Sequence, residues 1–147
     1  MCVRVAFVAT STSYRLDPEL KRQLARRAAG EGISETALVT RLLQQGLAAI
    51  EHPGIVYRAG PSGWRAGLAG GPDVDEVVRT VRSIGASGDE AVSGAADSLG
   101  IDPRLVRIAI DYAAEHLEEI EERLRENEEA VDRARKLAAA RSSVLTG

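Results

Sequence analysis

One cysteine, Cys2, stands among the 147 residues. No disulfide can close within the chain, and a reducing cytoplasm is its natural setting. Aromatic residues are also scarce, with one Trp, three Tyr and one Phe. The core must therefore be built from Ala, Val, Leu and Ile. Long apolar runs are missing as well. The stretch from Val3 to Val8 is interrupted by Arg4 and is too short for a membrane span or a signal-peptide core. A soluble protein with no membrane partner is expected. His52 and His116 stand isolated in the sequence, and no Cys or second His lies at metal-ligand spacing, so no metal and no cofactor is expected. Cys2 has no obvious base near it in sequence. The glycine-rich corner from Gly67 to Gly71 matches neither the P-loop nor the dinucleotide pattern, and Asp73, Asp75 and Glu76 beside it would repel a phosphate. It reads as a structural turn. These absences leave no catalytic constellation and point away from an enzyme.

The first third of the chain carries a clear pattern. Tyr14 and Leu16 share one face of an extended strand, while Ser11, Ser13 and Arg15 share the other. Asp17-Pro18 then supplies an N-cap and a first helical turn. Leu20, Leu24 and Ala28 repeat every four residues, and Gly30 and Gly32 offer a left-handed stop. Ser34 caps a second helix with Leu38, Val39, Leu42, Leu43 and Leu47 at steps of three and four, a stripe wide enough to be buried on two sides. Under 40 residues of strand and helix make a poor core for one chain. An intertwined homodimer is expected.

This layout, from Thr12 to Ile50, resembles the ribbon-helix-helix DNA-binding domain. The resemblance implies that strand residues of an antiparallel two-chain ribbon enter the major groove, which by register are Ser11, Ser13 and Arg15. Arg15 is the strongest reader, since a guanidinium contacts guanine bidentately, worth about 1–3 kcal/mol of discrimination. The start of the second helix, Ser34, Glu35 and Thr36, would grip a phosphate, although Glu35 departs from an ideal anion site. The alternative is that Ser13 and Arg15 form the solvated face of an ordinary edge strand. Charge follows the same division. Residues 1–50 hold seven Lys or Arg against four acids, a balance of +3, and residues 51–147 hold twelve against eighteen, a balance of −6. The basic part suits DNA and the acidic part suits a protein.

His52-Pro53-Gly54 marks a boundary. Beyond it, Ile55 to Arg58 and Trp64 to Leu68 flank a Gly/Pro turn and read as a β-hairpin. Three helices follow: one carrying Val74, Val77, Val78 and Val81, one from about Asp89 to Leu99, and one opening at Asp102-Pro103. Residues 53–116 resemble a hairpin-plus-three-helix, helix-turn-helix-like module of bacterial antitoxins, whose toxins are often PIN-like ribonucleases. That geometry would expose Pro103, Arg104 and Arg107, but surface charge on a packing helix explains the two arginines better, because residues 51–101 carry four basic against seven acidic side chains. From Ala113 the positions Leu117, Ile120, Leu124, Asn127, Val131, Ala134 and Ala138 continue a heptad seam. If the last helix runs from Pro103 to about Ala140, it reaches roughly 55 Å at 1.5 Å per residue, too long to pack wholly on a small domain.

The chain is thus expected to be mainly α: a ribbon-helix-helix domain over 1–51, a hairpin and helix-turn-helix-like module over 52–116, and an amphipathic partner-binding helix over 117–147. The resemblance implies a cytoplasmic antitoxin that represses its own operon by binding operator DNA and neutralises a cognate toxin through Leu117, Ile120, Leu124 and Val131. On that reading, a chain cut near His116 keeps DNA binding and loses the toxin. The alternative is a stand-alone regulator whose last helix only dimerises, with Asn127 setting a coiled-coil register.

Overall fold

A computed structural model describes residues 11–60 and 63–145. Its described part is mainly helical, with one two-stranded antiparallel hairpin, and falls into two compact units divided between Gln44 and Gln45. No helix among the described residues is long and apolar enough to cross a membrane. Val3, Val5 and Phe7, which alternate in a way that could extend the ribbon, lie outside the described residues, as does Cys2.

In the first unit, α1 (Pro18–Glu31) begins where the sequence places it. Asp17 Oδ1 accepts from the N–H groups of Glu19 and Leu20 at 2.8 and 3.3 Å, and Pro18 sits where no N–H is needed. Gly32, at φ +67°, takes the left-handed turn that lets Ile33 N–H reach the Ala28 carbonyl at 3.1 Å. Ser34 Oγ then accepts from Ala37 N–H at 3.1 Å and opens α2 (Glu35–Glu51). Leu24, Ala28 and Leu38 are buried, with Ile33 and Val39 packed against them. This core is small. Glu31 braces it, accepting from Arg27 Nε at 2.5 Å and pairing with Arg41 Nη1 at 2.7 Å. The Arg41 hydrogen bond first, and the Arg27 one second, hold the Glu31 carboxyl below its usual range. A lowered folded-state value adds stability above the usual carboxylate range and loses it as pH falls through the folded value. Acidification from about pH 5 to about pH 3 is expected to destabilise the parent chain more than Glu31→Gln, as read by thermal melts across that window.

The strand expected over Ser11 to Leu16 is not formed. Residues 11–17 carry no secondary structure and are exposed, with Tyr14 at 75%. A strand needs a ladder partner, and none lies beside this segment among the described residues.

In the second unit, β1 (Ile55–Gly60) and β2 (Gly63–Leu68) pair from Ile55 opposite Leu68 to Gly60 opposite Gly63. Their inward side chains Ile55, Ala66 and Leu68 join Val74 and Val77 of α3 (Val74–Ser83), Ala95 of α4 (Gly88–Leu99) and Val106, Ala109 and Tyr112 of α5 (Pro103–Glu115). Gly100, at φ +65°, ends α4, and Asp102 Oδ1 caps α5 through Arg104 N–H at 2.8 Å.

The last helical stretch is not continuous. It breaks at His116, with φ −119° and ψ 36°, and α6 (Leu117–Leu145) leaves in a new direction. The break places Ile120 and Leu124 in the core of the same unit, at 2% and 8% exposure. Burial of each apolar side chain stabilises by about 1.5–3 kcal/mol. Residues 117–145 share the second unit with the hairpin.

Candidate functional site

The DNA residues nominated by the sequence occupy two places in the first unit. Ser11, Ser13 and Arg15 lie on the exposed segment without secondary structure before α1. Ser34, Glu35 and Thr36 form the start of α2. The first-turn N–H groups of a helix have no intrahelical partner and favour an anion. Ser34 Oγ takes one of them, from Ala37. Glu35 pairs with Lys21 of α1, so its charge is partly offset at the one place where it would oppose a phosphate. That pairing was not readable from the sequence, because the two residues lie fourteen apart on different helices.

Among the described residues, α2 carries large apolar side chains that are exposed. Leu42, Leu43, Leu47 and Ile50 are 45%, 55%, 60% and 77% exposed. They recur at helical spacing.

In the second unit, the partner residues nominated from the heptad seam separate into two groups. Ile120 and Leu124 are consumed by the unit's own core, while Leu117 and Val131 stay 53% and 44% exposed. Asn127 Nδ2 donates to Asp75 Oδ2 of α3 at 2.7 Å. From Arg125 to Leu145 every residue of α6 is exposed. This stretch includes Leu137, Val144 and Leu145, which sequence reasoning missed.

The elbow gathers side chains that are remote in sequence. His116 stacks on Tyr112 with ring centroids 4.2 Å apart, and His52, 8% exposed, meets both rings edge-on at 5.8 and 5.3 Å. The two histidines are therefore neighbours, although each is isolated along the chain. His52 Nε2 lies 3.2 Å from Glu115 Oε2. Tyr112 donates to Glu119 Oε2 at 3.3 Å, and its hydroxyl lies 3.0 Å from that of Tyr57. Burial first, then the Tyr57 hydrogen bond, pushes the Tyr112 phenol far above its ordinary range, and burial raises Tyr57 too. Both phenols stay protonated and act as donors at neutral pH. Among the described residues, no group of three His, Cys, Asp or Glu is placed to hold a metal ion.

The glycine-rich corner encloses an arginine. Arg58 Nη2 donates to the carbonyls of Leu68 and Gly71, each at 2.8 Å, and Arg65 Nε pairs with Asp73 at 2.6 Å. A Cβ at Gly67 would overlap the Arg58 guanidinium. The corner's carbonyls thus face a cation, which is the reverse of a phosphate cradle. On α5, Pro103 and Arg104 are exposed, and Arg107 is held by Asp89 at 3.0 Å.

Comparison with family models, with curated proteins and with solved structures gives no match.

Proposed function

We propose that the chain is a DNA-binding antitoxin: a cytoplasmic homodimer that represses its own operon and neutralises a cognate toxin, a PIN-like ribonuclease, by direct contact. The observation that carries this reading is the exposure of residues 11–16 and of Leu42, Leu43, Leu47 and Ile50 on α2. An exposed segment without secondary structure, bearing Ser11, Ser13 and Arg15, runs into an Asp17-capped helix, and the following helix leaves Leu42, Leu43, Leu47 and Ile50 exposed. A second copy would satisfy both features at once, pairing the two segments into a ribbon and covering the two stripes. The ribbon would carry two Arg15 side chains into a major groove, which admits a two-stranded β-ribbon. The chain is a binding protein in this reading, not a catalyst.

The toxin-facing surface is the exposed part of α6: Leu117, Val131, Leu137, Val144 and Leu145, flanked by Glu118, Glu122, Glu126 and Glu129. Such a helix suits a groove that takes its apolar stripe, with the carboxylates competing for the basic surface that holds RNA. The burial of Ile120 and Leu124 moves the decisive cut. A chain ending at His116 would lose two core side chains and unfold the second unit, so loss of partner binding by it would mean little.

A chain ending at Glu128 keeps Ile120, Leu124 and Asn127 in place. It is expected to bind DNA as the parent does and to fail to co-purify with the product of the neighbouring gene on co-expression. Retention of that partner at unchanged stoichiometry, measured by the mass of the purified complex, would remove α6 from the toxin interface.

A further inference from the structure

We propose that α6 is an exchangeable arm: two copies of the chain form a dimer in which each α6 packs on the partner's second unit in place of its own, with α5 and α6 straightened into one helix. Neither DNA nor a toxin takes part in this exchange.

The elbow has no covalent reason to exist. Residues 113–120 read Ala-Ala-Glu-His-Leu-Glu-Glu-Ile, with neither Gly nor Pro. Sharp breaks in helices otherwise have such a cause. His116 departs from helical torsions, and helical hydrogen bonds stand on both sides of it: His116 N–H to the Tyr112 carbonyl at 3.0 Å, and Ile120 N–H to the His116 carbonyl at 3.1 Å. Turning one residue back to α-helical torsions joins the two helices.

Sequence periodicity points the same way. The four-and-three spacing of Ala113, Leu117, Ile120, Leu124, Asn127, Val131, Ala134 and Ala138 crosses the elbow without a stutter. A straight helix keeps those residues on one face. A bent one has no need of an unbroken repeat.

Straightening lifts Ile120 and Leu124 out of their own unit and opens the space they filled beside α3. The segment whose side chains fit that space is α6 of a second copy, because it carries the same complements. Its Ile120 and Leu124 fill the core, its Asn127 meets Asp75, its Glu121 meets Arg82 Nη2 (2.5 Å within one chain), and its Arg123 reaches the Trp64 carbonyl (2.5 Å within one chain). Exchange about a two-fold axis reproduces every one of these contacts and closes the dimer. The closed and exchanged forms differ only at the hinge, where His116 stacks on Tyr112, and in the entropy of association. Protein concentration and the hinge residue decide between them.

The test uses the full chain with Cys2→Ser, Asp75→Cys and Asn127→Cys, folded and treated with a short bismaleimide. Because Asp75 and Asn127 are hydrogen-bonded at 2.7 Å, the two thiols are adjacent whichever chain supplies them. A denaturing gel then separates the forms: an internal link runs as a monomer, and an exchanged arm gives a covalent dimer. The expected result is a dimer share that rises with protein concentration during refolding. His116→Ala, a better helix former, should raise it several-fold, and His116→Gly should lower it. Chains carrying Asp75→Cys alone and Asn127→Cys alone, refolded together, should link to each other. Circular dichroism of each variant checks that it has folded. Should the first cysteine pair unfold the chain, Arg82→Cys with Glu121→Cys, exposed positions that face each other across the same contact, is linked and read in the same way. Exclusively monomer-sized product at every concentration, in the parent hinge and in His116→Ala alike, would overturn the proposal.

Discussion

Replacing Ile120 with Ala is expected to cost the second unit about 2–5 kcal/mol, a large share of the stability of a domain this size. Ile120 is 2% exposed and sits among Tyr112, Val74 and their neighbours, so the missing carbons leave a void that a close-packed core fills only in part. Leu117, three residues earlier and 53% exposed, is expected to tolerate the same change within about 0.5 kcal/mol. Urea unfolding followed by the fluorescence of Trp64, which lies in the same unit, measures both. Equal losses at the two positions would mean that α6 does not fold back at His116. The contrast matters for function, because it separates the half of α6 that serves the fold from the half that is free to meet a partner.

The helix starts and stops were legible because they are written in adjacent residues. Asp17-Pro18 and Asp102-Pro103 cap and prime α1 and α5, and Gly32 and Gly100 supply the left-handed stops of α1 and α4. The hairpin was legible for the same reason, since alternation and a Gly/Pro turn are local signals. The elbow was not. Nothing within residues 113–120 breaks a helix, and the bend comes from the gain of burying Ile120 and Leu124 together with the His116–Tyr112 stack, all of which depend on what α3 and α5 present. The pairing of His52 with His116 was hidden likewise, because a T-shaped contact at 5.8 Å leaves no trace in spacing. Arg58 in the glycine corner shows the reverse case: the glycines were visible, but the cation they admit was not. The segment at Ser11 to Leu16 lies beyond local reasoning of either kind. Its alternation suits a strand, yet a strand forms only where another supplies its ladder.

For Arg15 the expected effect is the largest on DNA. A guanidinium reading guanine contributes about 1–3 kcal/mol of base discrimination, and a two-fold ribbon presents it twice. Arg15→Ala should therefore weaken binding to a preferred site about tenfold or more. Because Arg15 reads a base in this account, its loss should narrow the gap between preferred and random duplexes more than it flattens the salt dependence. Lys21 and Arg22 on α1 are 60% and 64% exposed, and, proposed as phosphate contacts beside the ribbon, they are expected to show the opposite pattern. Removing a phosphate contact weakens all sequences alike and lowers the salt slope by about one unit.

The most direct measurement is a fluorescence anisotropy titration of the parent chain and Arg15→Ala, at several salt concentrations. One duplex would be enriched by the parent from a random pool, and the other scrambled. The account predicts salt-steep binding by the parent with a clear preference for the enriched duplex, and loss of most of that preference in Arg15→Ala while scrambled-duplex affinity changes little. Identical affinity and preference in the two proteins, or no DNA binding by the parent at low salt, would contradict it.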